Sequence, residues 1–539
     1  MFKFSIPSFW TITPFLILFF FLLPVLMVLA SLLGDYSDNW AHLYDYVLVD
    51  YISNTLYLII GVSLLSLLIG TVTAWIVTTY DFFGKRFLEW ALILPLATPP
   101  YILAYTFTGF FDAFGTANNF IRDIFSLDQS FIFFPNIRNI YGAVIVFSFT
   151  LYPYIYLVSR SAFLNQSRSM LEAGRMLGLS QFEIFYKLSL PIIRPAVIGG
   201  LMLVIMETIS DFGAVDHFAI QTFTTGVFRT WHGMYDLKTA MQLASILLIF
   251  VATFVWIEKI SRKKALYTSG TSTFKPTKKI KLLKYKAFIS FFICFIPILI
   301  GFILPITELI IWAISYNLSF FNEKFLLAAM NTILLSITAA VLCASIALII
   351  NFSIRFKKYR FSNFLSSFLS LGYAVPGLIL AVGIVQLFAL IDQNILFNSD
   401  IILTGSIVGL IFAYIIKSYA LANSTFESGF QRISTNLDDS ARTLKSSGWN
   451  LLSRVHLPLL KTSFLTSILM VTSEVVKELP ATLILRPFNF DTLAVATYIY
   501  AAEERMFQAA APAIAIMLVG LIPIILLTKM ISSSRPMDK

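Results

Sequence analysis

The chain has 539 residues, 58% of them hydrophobic and only 13% charged, with a formal net charge of +10. Ordinary globular chains carry about 25% charged residues, so the composition excludes a soluble protein. Two cysteines, Cys294 and Cys343, both in apolar runs, leave no disulfide framework or thiolate metal site, and His42, His217, His232 and His456 lack metal-ligand spacing.

The first apolar run, about 12–33, is longer than the usual signal-peptide core of about 7–15 residues and has no clear small-residue cleavage site. It reads as a retained helix. Further apolar runs follow at about 53–79, 88–111, 140–163, 192–214 and 241–260. After a basic stretch come 287–315, 328–351, 364–391, 402–424, 460–485 and 509–530. Each approaches the roughly 20 residues that cross a hydrocarbon core. Continuous apolar runs satisfy their backbone in lipid as helices, so the expected fold is an all-α polytopic membrane protein of about twelve spans.

The Lys-, Ser- and Thr-rich linker 261–286 divides the chain into halves, 1–260 and 287–539, and the halves repeat. Asn54-Thr55-Leu56 recurs as Asn331-Thr332-Ile333. LPLATPPYILA from Leu94 recurs as LGYAVPGLILA from Leu371. Six predicted helices per half is an even number, so both halves face the same way, related by a pseudo-two-fold axis along the membrane normal. With both termini in the cytoplasm, most of the 39 Lys and Arg residues fall inside, as the positive-inside rule requires. The positive charge thus follows membrane topology, and no nucleic-acid partner is needed to explain it.

A polar stretch interrupts each half at the same place. In 168–191, Leu171, Ala173, Met176 and Leu177 are the apolar positions of a short helix, and Gly178 offers a left-handed residue to close it. Ser180 with Glu183 forms a capping box for a second helix, and Pro191 marks the next break. The companion, 435–458, places Asp439, Ala441, Arg442 and Leu444 opposite Glu172, Gly174, Arg175 and Leu177 when the two Leu-Pro pairs are aligned. Both stretches fall on the predicted cytoplasmic face.

These residues resemble the EAA motif of ABC-importer permeases. Glu172, Ala173, Gly174, Gly178 and Pro191 occupy it in the first copy, with Gly174 in place of the second Ala. Asp439, Ser440, Ala441 and Pro458 occupy it in the second, which departs further, with Lys445 where Gly is expected. The resemblance implies two tandem six-helix repeats of the type I importer kind. It also implies that each stretch is a coupling helix docked on a cytoplasmic ATPase dimer, with Glu172, Asp439, Arg175 and Arg442 as charged contacts or caps.

The sequence holds no phosphate-binding Gly-x-x-x-x-Gly-Lys-Ser/Thr loop. The chain itself is therefore expected to be no enzyme and to bind no cofactor; ATP and its Mg2+ would belong to the partner. Charges inside membrane spans are costly and usually face a cavity or one another. Here they are Glu207 and Asp211 in the fifth span, and Glu474, Lys477 and Glu478 in the eleventh. They are candidates for a translocation pathway, or for a structural network in which Lys477 neutralises Glu474. Pro480 interrupts the eleventh helix, which is tolerable beside a cavity or compensating partners.

The strings Glu478-Leu479-Pro480-Ala481-Thr482, Asp211-Phe212-Gly213-Ala214-Val215 and Gln221-Thr222-Phe223-Thr224-Thr225-Gly226 are similar to the fused permeases of ferric-iron importers. That resemblance implies iron(III) uptake across a bacterial inner membrane, with a periplasmic binding protein docking on loops such as 112–139, 215–238 and 486–508. Arg122, Arg138, Arg229, Arg486 and Arg505 in those loops are contact candidates for an acidic partner, or plain solvated charge. Thiamine, phosphonate and polyamine permeases share much of this architecture. An ion-coupled secondary transporter using Glu474 and Glu478 is the alternative from another class, and it leaves the paired polar stretches unexplained.

Overall fold

The computed structural model describes residues 9–263, 279–315, 322–357, 362–396 and 401–533. The first eight residues, most of the basic linker (264–278), the basic run at 358–360 and the tail from 534 lie outside the described residues. In chain order the helices that matter here are α1 (Phe9–Ala30), α2 (Leu48–Thr79), α3 (Pro100–Phe111), α4 (Ile140–Leu164), α5 (Arg168–Met176), α6 (Leu190–Ser210) and α7 (Gly213–His217). They continue with α8 (Leu237–Lys263), α9 (Tyr285–Ile298), α10 (Leu304–Ser315), α11 (Glu323–Lys357), α12 (Gly377–Asn394) and α13 (Ile407–Gln431). Last come α14 (Thr435–Thr443), α15 (Lys461–Val476), α16 (Pro480–Leu485), α17 (Leu493–Ala502) and α18 (Met506–Ser533). Two short strands, Tyr80–Asp81 and Ile280–Lys281, pair in parallel.

Among the described residues ten helices are long and apolar enough to cross a membrane, and two bent pairs bring the total to twelve. The bent pairs are Lys85–Ala97 with Pro100–Phe125, at 92°, and Trp449–Leu459 with Lys461–Val476, at 76°. The third predicted span is therefore not continuous, the eleventh is bent at its start, and the ninth is interrupted at Val375 and Pro376. A tight turn, Leu94–Ala97 or Ser370–Ala374, precedes a break, and the helix restarts at Pro100 or Gly377. Pro99 and Pro376 cause it, since each lacks an amide hydrogen and pushes the residue before it toward extended backbone.

Within the apolar helices, threonine hydroxyls return to carbonyls four residues back, Thr71 to Leu67, Thr73 to Ile69 and Thr78 to Ala74, so these hydroxyls are satisfied within their own helix. α2 turns Tyr57, Ile60, Leu64 and Leu68 outward while burying Leu58, Val62, Ser66 and Ile69. Those spacings are one helical face each, and the outward one meets hydrocarbon at no cost.

The structure divides into two compact units. One takes residues from 9–38, 227–248 and 322–496; the other takes residues from 39–226, 249–315 and 497–533. Each is built mainly on one half of the chain and completed by helices from the other half. In the first unit α1 packs on second-half helices. Trp10 lies 4.8 Å from Phe352 and 4.9 Å from Trp449, ring to ring, and Phe21 meets Tyr419 at 5.5 Å. A Cβ on Gly383 would stand 2.4 Å from the Pro24 carbonyl oxygen, so only glycine permits this crossing. In the second unit α9, α10 and α18 pack on first-half helices, with Trp312 against Gly109 and Gly520 over Ala97.

The repeated Asn-Thr pairs do the same work in both units. Asn54 Nδ2 donates to the Gln221 carbonyl and Asn331 Nδ2 to that of Asp491, both at 3.0 Å. Thr55 Oγ1 accepts from Phe223 N and Thr332 Oγ1 from Leu493 N.

Candidate functional site

The two polar stretches fold alike. α5 is capped by Ser167, whose hydroxyl accepts from Met170 N, and α14 by Ser434. Each helix then closes on a left-handed residue, Gly178 at φ +80° and Lys445 at φ +60°. Gly178 N donates to Arg175 O and Leu179 N to Gly174 O; Lys445 N donates to Arg442 O and Ser446 N to Ala441 O. The departure at Lys445 therefore changes the residue and keeps the backbone. Ser180 and Glu183 make the expected capping box, and Lys187 pairs with Glu183 at 2.9 Å.

Pro191 does not break the chain there, contrary to the sequence expectation. A wide helical turn with i→i+5 bonding, Ile184–Ser189, runs directly into α6, and a second, Leu452–His456, runs through Pro458 into the short helix Leu457–Leu459 before the bend to α15. The wider turn moves the carbonyl that the proline ring would strike and needs no hydrogen at that position.

Glu172, Ala173, Arg175, Asp439, Ser440 and Arg442 are exposed, while Gly174 and Ala441 are buried against their own segments. Arg442 lies over the Phe356 ring and 4.0 Å from Asp439. Large apolar side chains are exposed beside them: Met176 at 90%, Leu177 at 81% and Leu444 at 82%, with Phe182 and Trp449 nearby.

The charges in the spans are all engaged. Lys477 pairs with Glu474 at 2.9 Å, the structural pairing foreseen as one alternative. Asp211 Oδ1 accepts from Ala214 N at 2.8 Å and so caps α7. Glu478 Oε1 accepts from Ala481 N at 3.1 Å and caps α16, with Pro480 in the first turn. Asp211 and Glu478 are thus equivalent caps at equivalent breaks. Glu207 is half-buried on α6.

Several charges escaped the sequence reading, among them half-buried Lys417 and buried Glu308 and Asp438. Lys417 Nζ reaches Glu478 Oε2 at 3.2 Å, Glu308 accepts from Thr116 Oγ1 at 2.5 Å, and Asp438 receives Arg355 Nε at 2.7 Å. Lys417 and Glu308 are lone charges in otherwise apolar runs, and that solitude was the available signal. Asp438 is adjacent to Asp439, which the motif singled out instead. Of the loop arginines, Arg122 is buried and donates to the carbonyls of Ala113, Gln129 and Phe131, so it shapes the loop 112–139 and is no partner contact. Among the described residues no three His, Cys, Asp or Glu side chains gather as a metal site.

Twelve spans in two repeats, each with a surface helix presented on an identical turn, define a polytopic transport subunit of the importer-permease class. The chain belongs to the family described as binding-protein-dependent transport system inner membrane component, whose pattern it matches twice, over residues 66–257 and 336–533. It is a multi-pass inner-membrane protein and not itself an enzyme. It is 26% identical to an Fe(3+)-transport system permease protein of Haemophilus influenzae, over 89% of this chain and 90% of that protein. It is 24% identical to a ferric transport system permease protein of Actinobacillus pleuropneumoniae, over 90% of this chain and 72% of that one. A molybdenum transport permease of Haemophilus influenzae is 24% identical over 40% of this chain and 94% of its own length.

Proposed function

We propose that this chain is the translocating subunit of an ATP-driven, binding-protein-dependent importer of iron(III), with both termini in the cytoplasm. The halves 1–260 and 287–539, joined by the linker 261–286, form its two gates. A separate ATPase dimer supplies ATP hydrolysis with Mg2+, and a periplasmic binding protein delivers the metal. The observation that carries this reading is the twinned coupling segment. One turn occurs twice, each time holding a large aliphatic side chain, Leu177 or Leu444, more than four-fifths exposed. Large apolar side chains exposed at matched polar segments fit a docking surface. Glu172 and Asp439, each five residues before those leucines, are proposed as the polar contacts that fix the seat.

A helix seated in a groove of the ATPase transmits its closure as a rigid push. The first wide turn is continuous with the membrane helix α6, so the push has a stiff route there, while the second reaches α15 through a 76° bend. Glu207, Asp211, Glu474, Lys477, Glu478 and Pro480 border the proposed pathway at the breaks. Iron(III) is favoured because relatives named for it match nearly the whole chain, whereas the molybdenum permease matches less than half.

Changing Glu172 and Asp439 together to alanine tests the coupling role. In proteoliposomes with the ATPase and loaded binding protein, the variant is expected to hydrolyse ATP at the unstimulated rate while uptake falls at least about tenfold, a loss of roughly 1.4 kcal/mol in coupling. Uptake at the unaltered rate refutes the assignment.

A further inference from the structure

The two halves share backbone and caps, so positions where only one half is polar are free of any architectural need. One cluster of such positions lies in the second unit. Tyr101, Tyr105 and Thr108 occupy one face of α3, at spacings of four and three. Asp216 and His217 end α7. At the repeat-equivalent places the other half carries Leu378, Val382, Val385, Leu483 and Ile484. The same break, cap and short helix form there without a polar atom at any of the five.

The cluster is assembled. The His217 ring stands edge-on to Tyr105 at 4.6 Å, and its Nε2 lies 3.0 Å from Thr108 Oγ1. The Tyr101 ring lies 5.8 Å from that of Tyr105, tilted by 52°. Tyr498, from α17, donates to Asp216 Oδ2 at 2.9 Å. The Tyr105 hydroxyl lies within electrostatic reach of Tyr101, Tyr498, Asp211 and Asp216. Tyr105 is 3% exposed, and its hydroxyl has no hydrogen-bond partner. Leaving a buried hydroxyl unpaired costs about 1–3 kcal/mol, and Val382 demonstrates that the fold does not require it. Tyr152 also buries an unpaired hydroxyl, but a tyrosine, Tyr419, stands at the equivalent place in the other half, so that phenol belongs to the shared scaffold.

We infer that Tyr105, Tyr498 and Asp216 form a transient binding site for the ferric ion at the entry end of the pathway, with Tyr101, Thr108 and His217 holding Tyr105 in place. This rests on the iron(III) reading above. Ferric iron is a hard, highly charged cation, and carboxylate and phenolate oxygens suit it. On binding, the Tyr105, Tyr498 and Asp216 oxygens each replace a water on the ion; the Tyr105 proton leaves to solvent with the displaced waters, Tyr498 binds as the neutral phenol and keeps its proton, and no electron is transferred. Three protein oxygens on an otherwise watery ion make a site weak enough to release its cargo, as conduction requires. The cluster sits at the end of α6 remote from the coupling segment, roughly 30 Å away along a 21-residue helix. That is where metal handed over by an external binding protein would first be met.

The test uses the full chain in lipid nanodiscs, titrated with ferric nitrilotriacetate. The wild type is expected to develop the visible charge-transfer absorption of a ferric phenolate. Tyr105→Phe removes one oxygen and keeps the ring against His217; it is expected to bind at least about tenfold more weakly and to lose most of that absorption. Tyr152→Phe is expected to behave as wild type. In proteoliposomes with ATPase and loaded binding protein, Tyr105→Phe is expected to slow radioiron uptake while leaving stimulated ATP hydrolysis intact. Absence of the absorption in wild type, or its persistence in Tyr105→Phe, overturns the site. If wild type takes up no iron, the functional reading falls; if it does and Tyr105→Phe takes up iron equally fast, only this inference falls.

Discussion

Gly178 and Lys445 hold the same position in the two coupling segments and the same left-handed backbone, but not at the same cost. A side chain with a Cβ is strained there by about 1–2 kcal/mol relative to glycine. Gly178→Lys is therefore expected to destabilise the protein by about 1 kcal/mol, and Lys445→Gly to recover a fraction of that. Chemical unfolding in detergent, followed by tryptophan fluorescence, reads both. His217 makes a second prediction at this scale. Burial, with a smaller contribution from Arg138, pushes its imidazolium down to about 3. Between about pH 6.5 and 3 the unfolded chain then binds a proton that the folded chain refuses, so stability from this group is complete above pH 6.5 and declines as pH falls through that window. The midpoint of thermal unfolding, measured from pH 7 to 5, is expected to fall more steeply for wild type than for His217→Gln.

The coupling segments share a backbone and differ in how they are fastened. Arg355, near the end of α11, gives Nε to Asp438 Oδ2 at 2.7 Å, Nη1 to Phe430 O at 2.7 Å, and Nη2 to the carbonyls of Ile433 and Ser434. His456 Nε2 lies 3.0 Å from Asp438 Oδ1. This polar knot ties α14 to a long membrane helix. In the other segment Leu171 and Ser189 stand where Asp438 and His456 do, and Gln166 Nε2 donates to the Ser189 carbonyl at 2.9 Å, so that segment is held without a charged knot there. Removing one member of a buried pair strands the other at a cost of about 3–5 kcal/mol. Arg355→Met is thus expected to lower stability and uptake together. Adding Asp438→Leu, the residue the first segment already uses at this place, is expected to restore much of the stability. A thermal-melt comparison of the single and double variants decides it; equal losses in both would show that the knot carries little.

At the scale of the molecule, sequence order and packing order diverge. The compact unit built on the second half needs α1 and the beginning of α8, and the unit built on the first half needs α9, α10 and α18. Neither half buries its own apolar faces without helices from the other, since Trp10, Phe21 and Pro24 in one unit and Trp312 and Gly520 in the other fill positions inside the partner's core. Expressed alone, residues 1–263 or 279–539 are expected to be degraded. Expressed together as two chains they are expected to copurify and to melt as one species. Stable accumulation of either half by itself would contradict the exchange of helices.

The chain's own letters determined its class, its number of spans, its duplication and the place of both polar surface helices. All of these depend on local hydropathy, on proline and glycine, and on motifs a few residues long, which neighbours in space do not alter. The capping box at Ser180 and the interruption at Pro480 were legible for the same reason. The partners of Asp211, Glu478 and Asp438, the wide turns that absorb Pro191 and Pro458, and the gathering of Tyr105, Asp216 and Tyr498 were not. Lys417 and Glu478 are distant in sequence, as are Asp216 and Tyr498, and a periodicity of 3.6 residues carries no record of which helix lies alongside. Only tertiary packing brings those atoms within hydrogen-bond range, and only there do burial and desolvation decide which polar groups are structural and which are left for a ligand.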